Sequence, residues 1–214
     1  QHKLDGTVTR TSRSNPTLGT KLKETTHHPA GRHRTVTTMA AQEGGMRLVS
    51  HPIAAHDGRL PRQYTAEGQG AKKDMSPPLE WYGVPEGARS LALLVQDIDA
   101  DPVVPWTHWV VANIPPATRG LPEGFSGAAG AGAGAGRDQL GGLQEGVNDW
   151  KQPGWRGPVP PSHGHRIQFK LYALDDEVHL GNKVTRDKLM EAIDGHVLEE
   201  AELIAVFQGV VANN

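Results

Sequence analysis

Short apolar runs, each bounded by glycine or proline, recur along the chain from about residue 46 onward. The run Arg89–Asp99 has a continuous apolar centre, which indicates a β-strand buried on both faces. In Ile167–Leu174, apolar and polar side chains alternate with a period of two, as expected for a strand with one face in a core. The same reasoning predicts three further strands, at Met46–Ser50, Thr107–Ile114 and Glu202–Gly209.

A convincing helical pattern occurs in one segment, "TRDKLMEAIDG", from Thr185 to Gly195. Thr185 is suited to cap the first turn, Asp187 suits the positive end of the helix dipole, and Gly195 favours termination. The apolar stripe of this helix is predicted to comprise Leu189, Ile193 and Val197. Several short strands with proline-rich turns and one late helix predict a mainly β fold. We expect an antiparallel β-sandwich with one C-terminal helix and short peripheral helical turns.

Composition limits the classes of function. The 214 residues carry a formal net charge of -2 with a pI near 6.6, so no global field favours nucleic acid or an anionic membrane. The absence of cysteine excludes disulfides, thiolate nucleophiles and cysteine-based metal sites. No apolar run approaches the ~18 residues needed to span a bilayer. These features predict a protein without a transmembrane segment that does not bind nucleic acid.

Two segments differ from the rest of the chain in composition. Residues 1–38 are rich in Ser, Thr and basic residues and poor in apolar ones, so we expect 1–45 to be a disordered or non-native extension. An organellar transit peptide is the alternative for residues 1–38, and a cytoplasmic location is otherwise expected. Residues 126–142 alternate Gly and Ala, which predicts a flexible loop within a domain spanning 46–209. Residues 210–214 are expected to be a disordered tail.

Four ionisable residues are candidates for a shared site. Asp97 and Asp99 lie two apart at the end of a predicted buried strand, so their carboxylates are expected on one face. Two carboxylates this close raise the pKa of one of them unless a cation or a hydrogen-bond donor intervenes. His108 follows a proline-rich turn, and His165 ends the stiff loop "GPVPPSHGH". Each residue alone fits a structural role better than a functional one, whereas the combination indicates a site.

Two stretches of the chain resemble sequence signatures of the phosphatidylethanolamine-binding protein family. "DIDA…PWTHWVVANIPP" is similar to the first signature and "GPVPPSHGHRIQFKLYAL" to the second. The likeness extends over "LEWYGVPEGARSLALLVQD", "LPEGF", "EGVNDWKQPGWRGP" and the final strand and helix segments, and so covers roughly residues 46–207. It is closest to the bacterial-type branch that plants also possess, whose members are similar to Raf kinase inhibitor proteins.

The resemblance implies a β-sandwich with a small anion pocket at one end. The residues that match the family's pocket are Asp97, Asp99, His108 and His165, and we expect Trp109 and Pro161 to line it. Two positions depart from the family pattern. Ile98 stands where the first signature usually has proline, and Ile167 stands where the family often has a tyrosine. The latter change would remove a phenol donor from the pocket.

The resemblance implies a binding module for a phosphoryl or carboxylate head group, such as that of a phospholipid. Regulation of a protein kinase or another signalling protein is the corresponding expectation for its partners. No cofactor and no catalysis are expected. Two alternatives remain open at this stage. The same Asp and His cluster is suited to acid–base or metal-assisted hydrolysis, and a scaffold with a vestigial pocket fits as well.

Overall fold

Two antiparallel sheets form most of the regular structure in the described part of the chain. A computed structural model describes residues 44–66, 74–126, 140–159 and 164–207. The smaller sheet has three strands in the order β1-β2-β5, and the larger has five in the order β6-β4-β3-β7-β8. The elements are β1 (Arg47–Val49), α1 (His51–Ala55), a 3₁₀ turn (Arg62–Tyr64), β2 (Leu79–Tyr82), β3 (Ser90–Asp97), β4 (Trp106–Ile114), β5 (Gly120–Leu121), β6 (Gln144–Glu145), β7 (His165–Leu174), α2 (Arg186–Ile193) and β8 (Val197–Phe207).

The main core lies between the two sheets. Trp81 and Leu79 of the smaller sheet pack in one cluster with Leu93, Val95 and Phe169 of the larger sheet. Each of these side chains is at most 1% exposed. Two antiparallel sheets that bury their facing sides against each other are a β-sandwich. The predicted fold class is therefore confirmed.

A second apolar layer covers the outer face of the larger sheet. Leu189 and Ile193 of α2 pack with Leu94, Val110 and Tyr172, which project from the opposite face of β3, β4 and β7. Both faces of the central strands are therefore buried, and all eight residues of β3 are buried. This arrangement explains the continuous apolar run that predicted β3, because a strand with two buried faces has no polar side to show.

The predicted strands and helix are present, with two corrections at the C-terminal end. The strand expected at Glu202–Gly209 begins earlier, at Val197. The charged residues Glu199, Glu200 and Glu202 obscured it, because β8 is an edge strand whose outward side chains reach solvent. Val197 therefore belongs to β8 and not to the apolar stripe of α2, and it is 40% exposed.

Helix α2 ends before Val197 for a local reason. Asp194 has an extended backbone and Gly195 has φ +79°, a conformation that glycine adopts without strain. At the other end, Thr185 accepts a hydrogen bond from the backbone N–H of Lys188, as predicted. Residues 1–43 of the predicted N-terminal extension, most of the predicted Gly/Ala loop and the last five residues of the chain lie outside the described residues.

Candidate anion-binding site

Asp97 is the last residue of β3, and the two histidine-bearing strands are its neighbours. In the sheet, Asp97 lies opposite Trp106 of β4 and opposite Ile167 of β7. Because directly opposed residues of neighbouring strands share a face, Asp97 and Ile167 project toward the same side. His165 lies two residues before Ile167 and so projects there too. The strand order therefore brings residues 97, 108 and 165 to one end of the sandwich.

Asp97 and His165 form a hydrogen-bonded pair. The distance from His165 Nδ1 to Asp97 Oδ2 is 2.7 Å, and the side chains are 24% and 10% exposed, respectively. A carboxylate oxygen accepts, so Nδ1 carries the proton and donates it. This bond fixes the ring orientation and leaves Nε2 of His165 as the nitrogen that can face a ligand. The predicted approach of these two residues is confirmed.

Asp99 has a different partner from Asp97. Its two carboxylate oxygens accept hydrogen bonds from Nε and Nη2 of Arg166, at 3.0 and 2.7 Å, and Oδ2 also accepts from the Arg166 backbone N–H. These side-chain hydrogen bonds are the main cause that lowers the pKa of Asp99 to about 2. Two neighbouring carboxylates were expected to raise the pKa of one of them unless a cation or a donor intervenes. Arg166 is such a cation, and it holds Asp99 ionised.

The turn after β3 is built around Asp97 even though proline is missing at position 98. Asp97 Oδ1 accepts a hydrogen bond of 2.9 Å from the backbone N–H of Asp99, which is an Asx turn. The N–H of Ile98 donates to the carbonyl of Arg166 at 3.1 Å, so pairing with β7 continues past the strand end. Proline could not make this bond, since it has no N–H. Ile98 thus replaces one means of fixing the turn with another.

His108 occupies a β-bulge. Val95 of β3 pairs with Trp109 of β4, and the next residue, Gln96, pairs with Thr107, so His108 is the extra residue in β4. A bulge redirects the side chain of the strand that contains it. The His108 ring packs at 5.1 Å from the Trp150 ring and 6.3 Å from the Trp155 ring, between centroids. Simple alternation along β4 does not predict this orientation.

The His108 ring is buried and neutral, and one of its two nitrogens has a hydrogen-bond partner among the described residues. It is 1% exposed, and burial is the main cause that lowers its pKa to about 4. Nδ1 lies 2.6 Å from the backbone carbonyl of Arg156 and so donates to it. Nε2 then carries a lone pair and has no hydrogen-bond partner among the described residues. In the unliganded protein the ring of His108 therefore has no proton on Nε2 and presents an acceptor there.

Sequence reasoning missed Arg156. The backbone of Arg156 brackets His108: its carbonyl accepts from the ring, and its N–H donates to the His108 carbonyl at 3.1 Å. Its guanidinium lies 5.5 Å from the centre of the Trp150 ring. Trp150 in turn contacts Trp106 edge-on at 5.5 Å. The tryptophan-rich segment "NDWKQPGWRGP" was the only signal in the sequence for this wall.

The start of the proline-rich loop is firmly anchored. The N–H of Gly157 donates to Asp74 Oδ1 at 2.7 Å, and the carbonyl of Pro158 accepts from Ala66. A Cβ on Gly157 would lie 2.2 Å from the carbonyl oxygen of Tyr64, so only glycine fits there. Pro161, predicted to line the site, lies outside the described residues. The stiffness expected of this loop is therefore seen at its first two residues.

Two other predicted positions lie in the sandwich core. Trp109 is fully buried, contacts Trp155 edge-on at 5.9 Å, and donates from Nε1 to Glu145 Oε1 at 2.8 Å. It supports the site from behind, and contact with a ligand remains a prediction. Ile167 is also fully buried, in the cluster between the sheets. An aliphatic side chain suits that environment, which explains the departure from tyrosine in terms of packing.

Comparison with known proteins agrees with this arrangement. Residues 50–208 match the family model described as phosphatidylethanolamine-binding protein. The chain belongs to the phosphatidylethanolamine-binding protein family. Among curated relatives, a UPF0098 protein of Methanothermobacter thermautotrophicus is 46% identical over 151 residues, which cover 71% of this chain and 91% of the relative. A UPF0098 protein of Chlamydia pneumoniae is 35% identical over 167 residues, covering 76% and 99%.

Solved structures show the same family fold. A phosphatidylethanolamine-binding-protein homologue from Chlamydia trachomatis superposes with a TM-score of 0.62 at 32% identity, covering 78% of this chain and 99% of its own. Escherichia coli YbcL, described as a member of the mammalian family, gives a TM-score of 0.63 at 26% identity, covering 77% and 99%. The resemblance stated from the two signatures is therefore confirmed at the level of family and fold.

Two further properties concern metals and membranes. Within the four described ranges, no three His, Cys, Asp or Glu side chains are grouped so that they could hold a metal ion. In the same ranges, no helix has both the length and the apolar character needed to cross a membrane.

Proposed function

We propose that the site at Asp97, His108 and His165 binds a small oxyanion, in particular the monoprotonated phosphoryl group of a phosphate monoester. The observation that carries this proposal is the fixed state of the two rings. Each Nδ1 is held by an acceptor, Asp97 for His165 and the Arg156 carbonyl for His108. Both Nε2 atoms are therefore left to interact with a ligand.

The two rings have complementary parts in this proposal. His108 Nε2 is a buried acceptor without a partner, and a group of this kind costs about 1–3 kcal/mol while it remains unpaired. A ligand O–H that donates to it removes that cost. His165, when protonated, donates from Nε2 to a ligand oxygen in a charge-assisted bond. A phosphate monoester, whose second pKa is about 6, carries both the charge and the proton at mildly acidic pH.

This chemistry favours a phosphoryl group over a carboxylate. A carboxylic acid has usually lost its proton by about pH 5, so a carboxylate ligand brings acceptors only and leaves His108 unsatisfied. Repulsion from Asp97 works against any anion, but the proton shared with His108 and the charge on His165 both offset it. Asp99 adds no free charge, since Arg166 neutralises it.

We propose binding without catalysis. The low pKa of His108 makes it a weak base, and the carboxylate of Asp99 is occupied by Arg166. A hydrolytic site needs a base that is free to activate water, and neither of these two groups meets that need. Regulation of a protein kinase or another signalling protein through this site remains a prediction from the resemblance.

Calorimetric titration with O-phosphorylethanolamine tests the proposal. Because complex formation includes two protons, one on the ligand and one on His165, affinity should fall by more than tenfold per pH unit between about pH 7 and 8. His165→Ala should weaken binding at pH 6 by about tenfold or more, the value of a charge-assisted hydrogen bond. Affinity that does not change with pH, or that survives His165→Ala intact, would contradict the proposal.

The chain offers a matched control for the His165 variant. His196 Nδ1 forms the same kind of pair with Asp175 Oδ1 at 2.8 Å, on the surface between α2 and β8. His196→Ala removes an equivalent His–Asp interaction without altering the site, so it should bind the ligand as the natural protein does. Asp97→Asn is the second informative variant, because it keeps the shape but loosens the orientation of His165.

A further inference from the structure

A cavity of about 220 Å³ lies beside the first turn of α2, apart from the site described above. Thr107, Asp149, Lys151, Lys183 and Arg186 are among its lining residues. Val95 and Asp97 project to the face of β3 that packs against the smaller sheet, so Gln96 between them projects to the face that α2 covers. Thr107 lies opposite Gln96 in the sheet and shares that face. The cavity and the Asp97 site are thus on opposite faces of the larger sheet.

The charges around this cavity are unbalanced. It is lined by three cationic side chains, Lys151, Lys183 and Arg186, and by two carboxylates, Asp149 and Asp187. Arg186 neutralises Asp187, whose Oδ1 it binds at 2.7 Å, while Asp149 keeps its charge and accepts the backbone N–H of Thr107 at Oδ2, at 2.7 Å. The two lysines are exposed and form no ion pair within the described part of the chain. Two ammonium groups are therefore available to an anion.

Buried polar atoms without partners border the same cavity. Thr107 is 1% exposed, and its Oγ1 forms no hydrogen bond with any described residue. Nε of Arg186, which also lines the cavity, forms no hydrogen bond with any described residue either. Buried groups of this kind are rare, because each loses its water without gaining a partner. Two of them belong to residues that line this one cavity, Thr107 and Arg186.

The start of α2 adds a favourable field. The eight-residue helix begins at Arg186, and its N-cap Thr185 also lines the cavity. The side chain of Thr185 satisfies the N–H of Lys188. The amides of Arg186 and Asp187 have no partner within the helix, as is general for a first turn, and they carry its positive end. An oxyanion at this end of the cavity would be stabilised by the helix as well as by the lysines.

We propose that this cavity is a second anion site, which binds a doubly charged phosphoryl group between Lys151, Lys183 and the first turn of α2. Two free ammonium groups pair better with a doubly charged anion than with a singly charged carboxylate ligand. The hydroxyl of Thr107 and Nε of Arg186 supply uncharged and charged hydrogen bonds to its oxygens. This site needs no proton from the ligand, unlike the one at His108, and so should favour the dianion at higher pH.

The test uses inorganic phosphate at pH 8, with chloride at equal ionic strength as the reference, on the His165→Ala protein. That background weakens the first site, and the high pH suppresses it further. Phosphate at about ten times its dissociation constant stabilises by about 1.4 kcal/mol and should raise the melting temperature by about 3–6 °C. It should also shift the NMR amide signals of Arg186 and Asp187.

Variants of the lining residues decide between a specific site and a general effect of phosphate. The double variant Lys151→Gln/Lys183→Gln should weaken phosphate binding about tenfold or more. Lys188→Gln removes one positive charge from α2, outside the lining of this cavity, and it should bind nearly as tightly as the His165→Ala parent. An equal phosphate effect in the double variant and the parent would overturn the proposal, as would no effect in the parent.

Thr107→Val gives a second, independent measurement. Valine has the same shape without the unpaired hydroxyl, so this variant should be at least as stable as its parent in chloride. In phosphate, it should gain less than its parent, because one ligand contact is missing. A variant that loses stability in chloride would show that the hydroxyl already has a partner, and this would contradict the second site.

Discussion

The two histidines of the site differ in burial and in hydrogen-bond partner, and therefore in chemical role. His165 is partly exposed and bonded to a carboxylate, whereas His108 is buried, neutral and bonded to a carbonyl. A free imidazole in water has a pKa near 6.5. The pKa of His108 is lower because transfer of an imidazolium from water into the protein interior is costly. The Arg156 carbonyl and the charge of Asp97 stabilise the imidazolium and offset only part of that cost.

The low pKa of His108 predicts how stability depends on pH. The ring takes up a proton below pH 6.5 when the chain is unfolded but only below about pH 4 when it is folded. The unfolded state therefore binds more protons in this window, and the free energy of unfolding falls as the pH drops from 6.5 to 4, by about 3 kcal/mol. Urea denaturation at pH 7 and pH 4.5 measures most of this loss.

His108→Asn is the control for that measurement. Asparagine keeps a side-chain N–H near the position of Nδ1, where it can still donate to the Arg156 carbonyl, but it does not titrate. The variant should lose less stability than the natural protein between pH 7 and pH 4.5, by about 2–3 kcal/mol. Equal losses in the two proteins would show that His108 is not the group responsible.

At the scale of elements, one bulge and one close backbone contact position the site. The bulge in β4 places His108 against Trp150 and Trp155, and the contact at Gly157 fixes the segment that follows Arg156. Both are features of the backbone, and they set where the side chains of the site lie. A site formed in this way is preorganised, so little conformational entropy is lost when a ligand binds.

Gly157→Ala tests the backbone contact. The added Cβ would lie 2.2 Å from the Tyr64 carbonyl oxygen and 2.7 Å from Thr65 Cα, so the two segments must separate. We expect destabilisation by about 1–3 kcal/mol, as for other overpacked positions, together with weaker binding of O-phosphorylethanolamine. Gly141→Ala has open space around the new Cβ and should change stability by no more than about 0.5 kcal/mol. Similar thermal denaturation curves for the two variants would contradict the expected close contact.

At the scale of the whole molecule, the larger sheet is a central layer between two apolar clusters. Its strand β3 pairs with β4 on one side and β7 on the other, and no residue of β3 is exposed. The smaller sheet has strands of two to four residues. Local opening should therefore be least frequent in β3, because opening there disrupts both apolar clusters and two strand ladders at once.

Amide hydrogen exchange measures this hierarchy. The amides of Leu91–Val95 should exchange most slowly and approach the global free energy of unfolding, while those of β1 and β2 should exchange through smaller openings. The order is a consequence of the layered architecture and does not depend on the proposed ligand sites. Slower exchange in β2 than in β3 would mean that the three-stranded sheet, and not the central layer, holds the fold together.

The sequence alone determined the family, the sandwich and the main strands. Residues 89–99 and 167–174 carry hydrophobic patterns typical of buried strands, and the two signatures predicted Asp97, Asp99, His108 and His165 as members of one site. Such features are local, since strand periodicity and helix capping depend on neighbours within a few residues. The charged residues of β8 concealed its start for the same reason, because an edge strand lacks the pattern of a buried one.

Tertiary structure decided the chemical state of each site residue. The ionised state of Asp99 depends on Arg166, which is 67 positions away, and the neutral state of His108 depends on its burial beside Trp150 and the Arg156 carbonyl. The place of Ile167 in the core and the unpaired hydroxyl of Thr107 are likewise set by chain segments distant in sequence. A pKa and a hydrogen-bond partner are properties of a local environment in space, and residues far apart in the chain create that environment only when it folds.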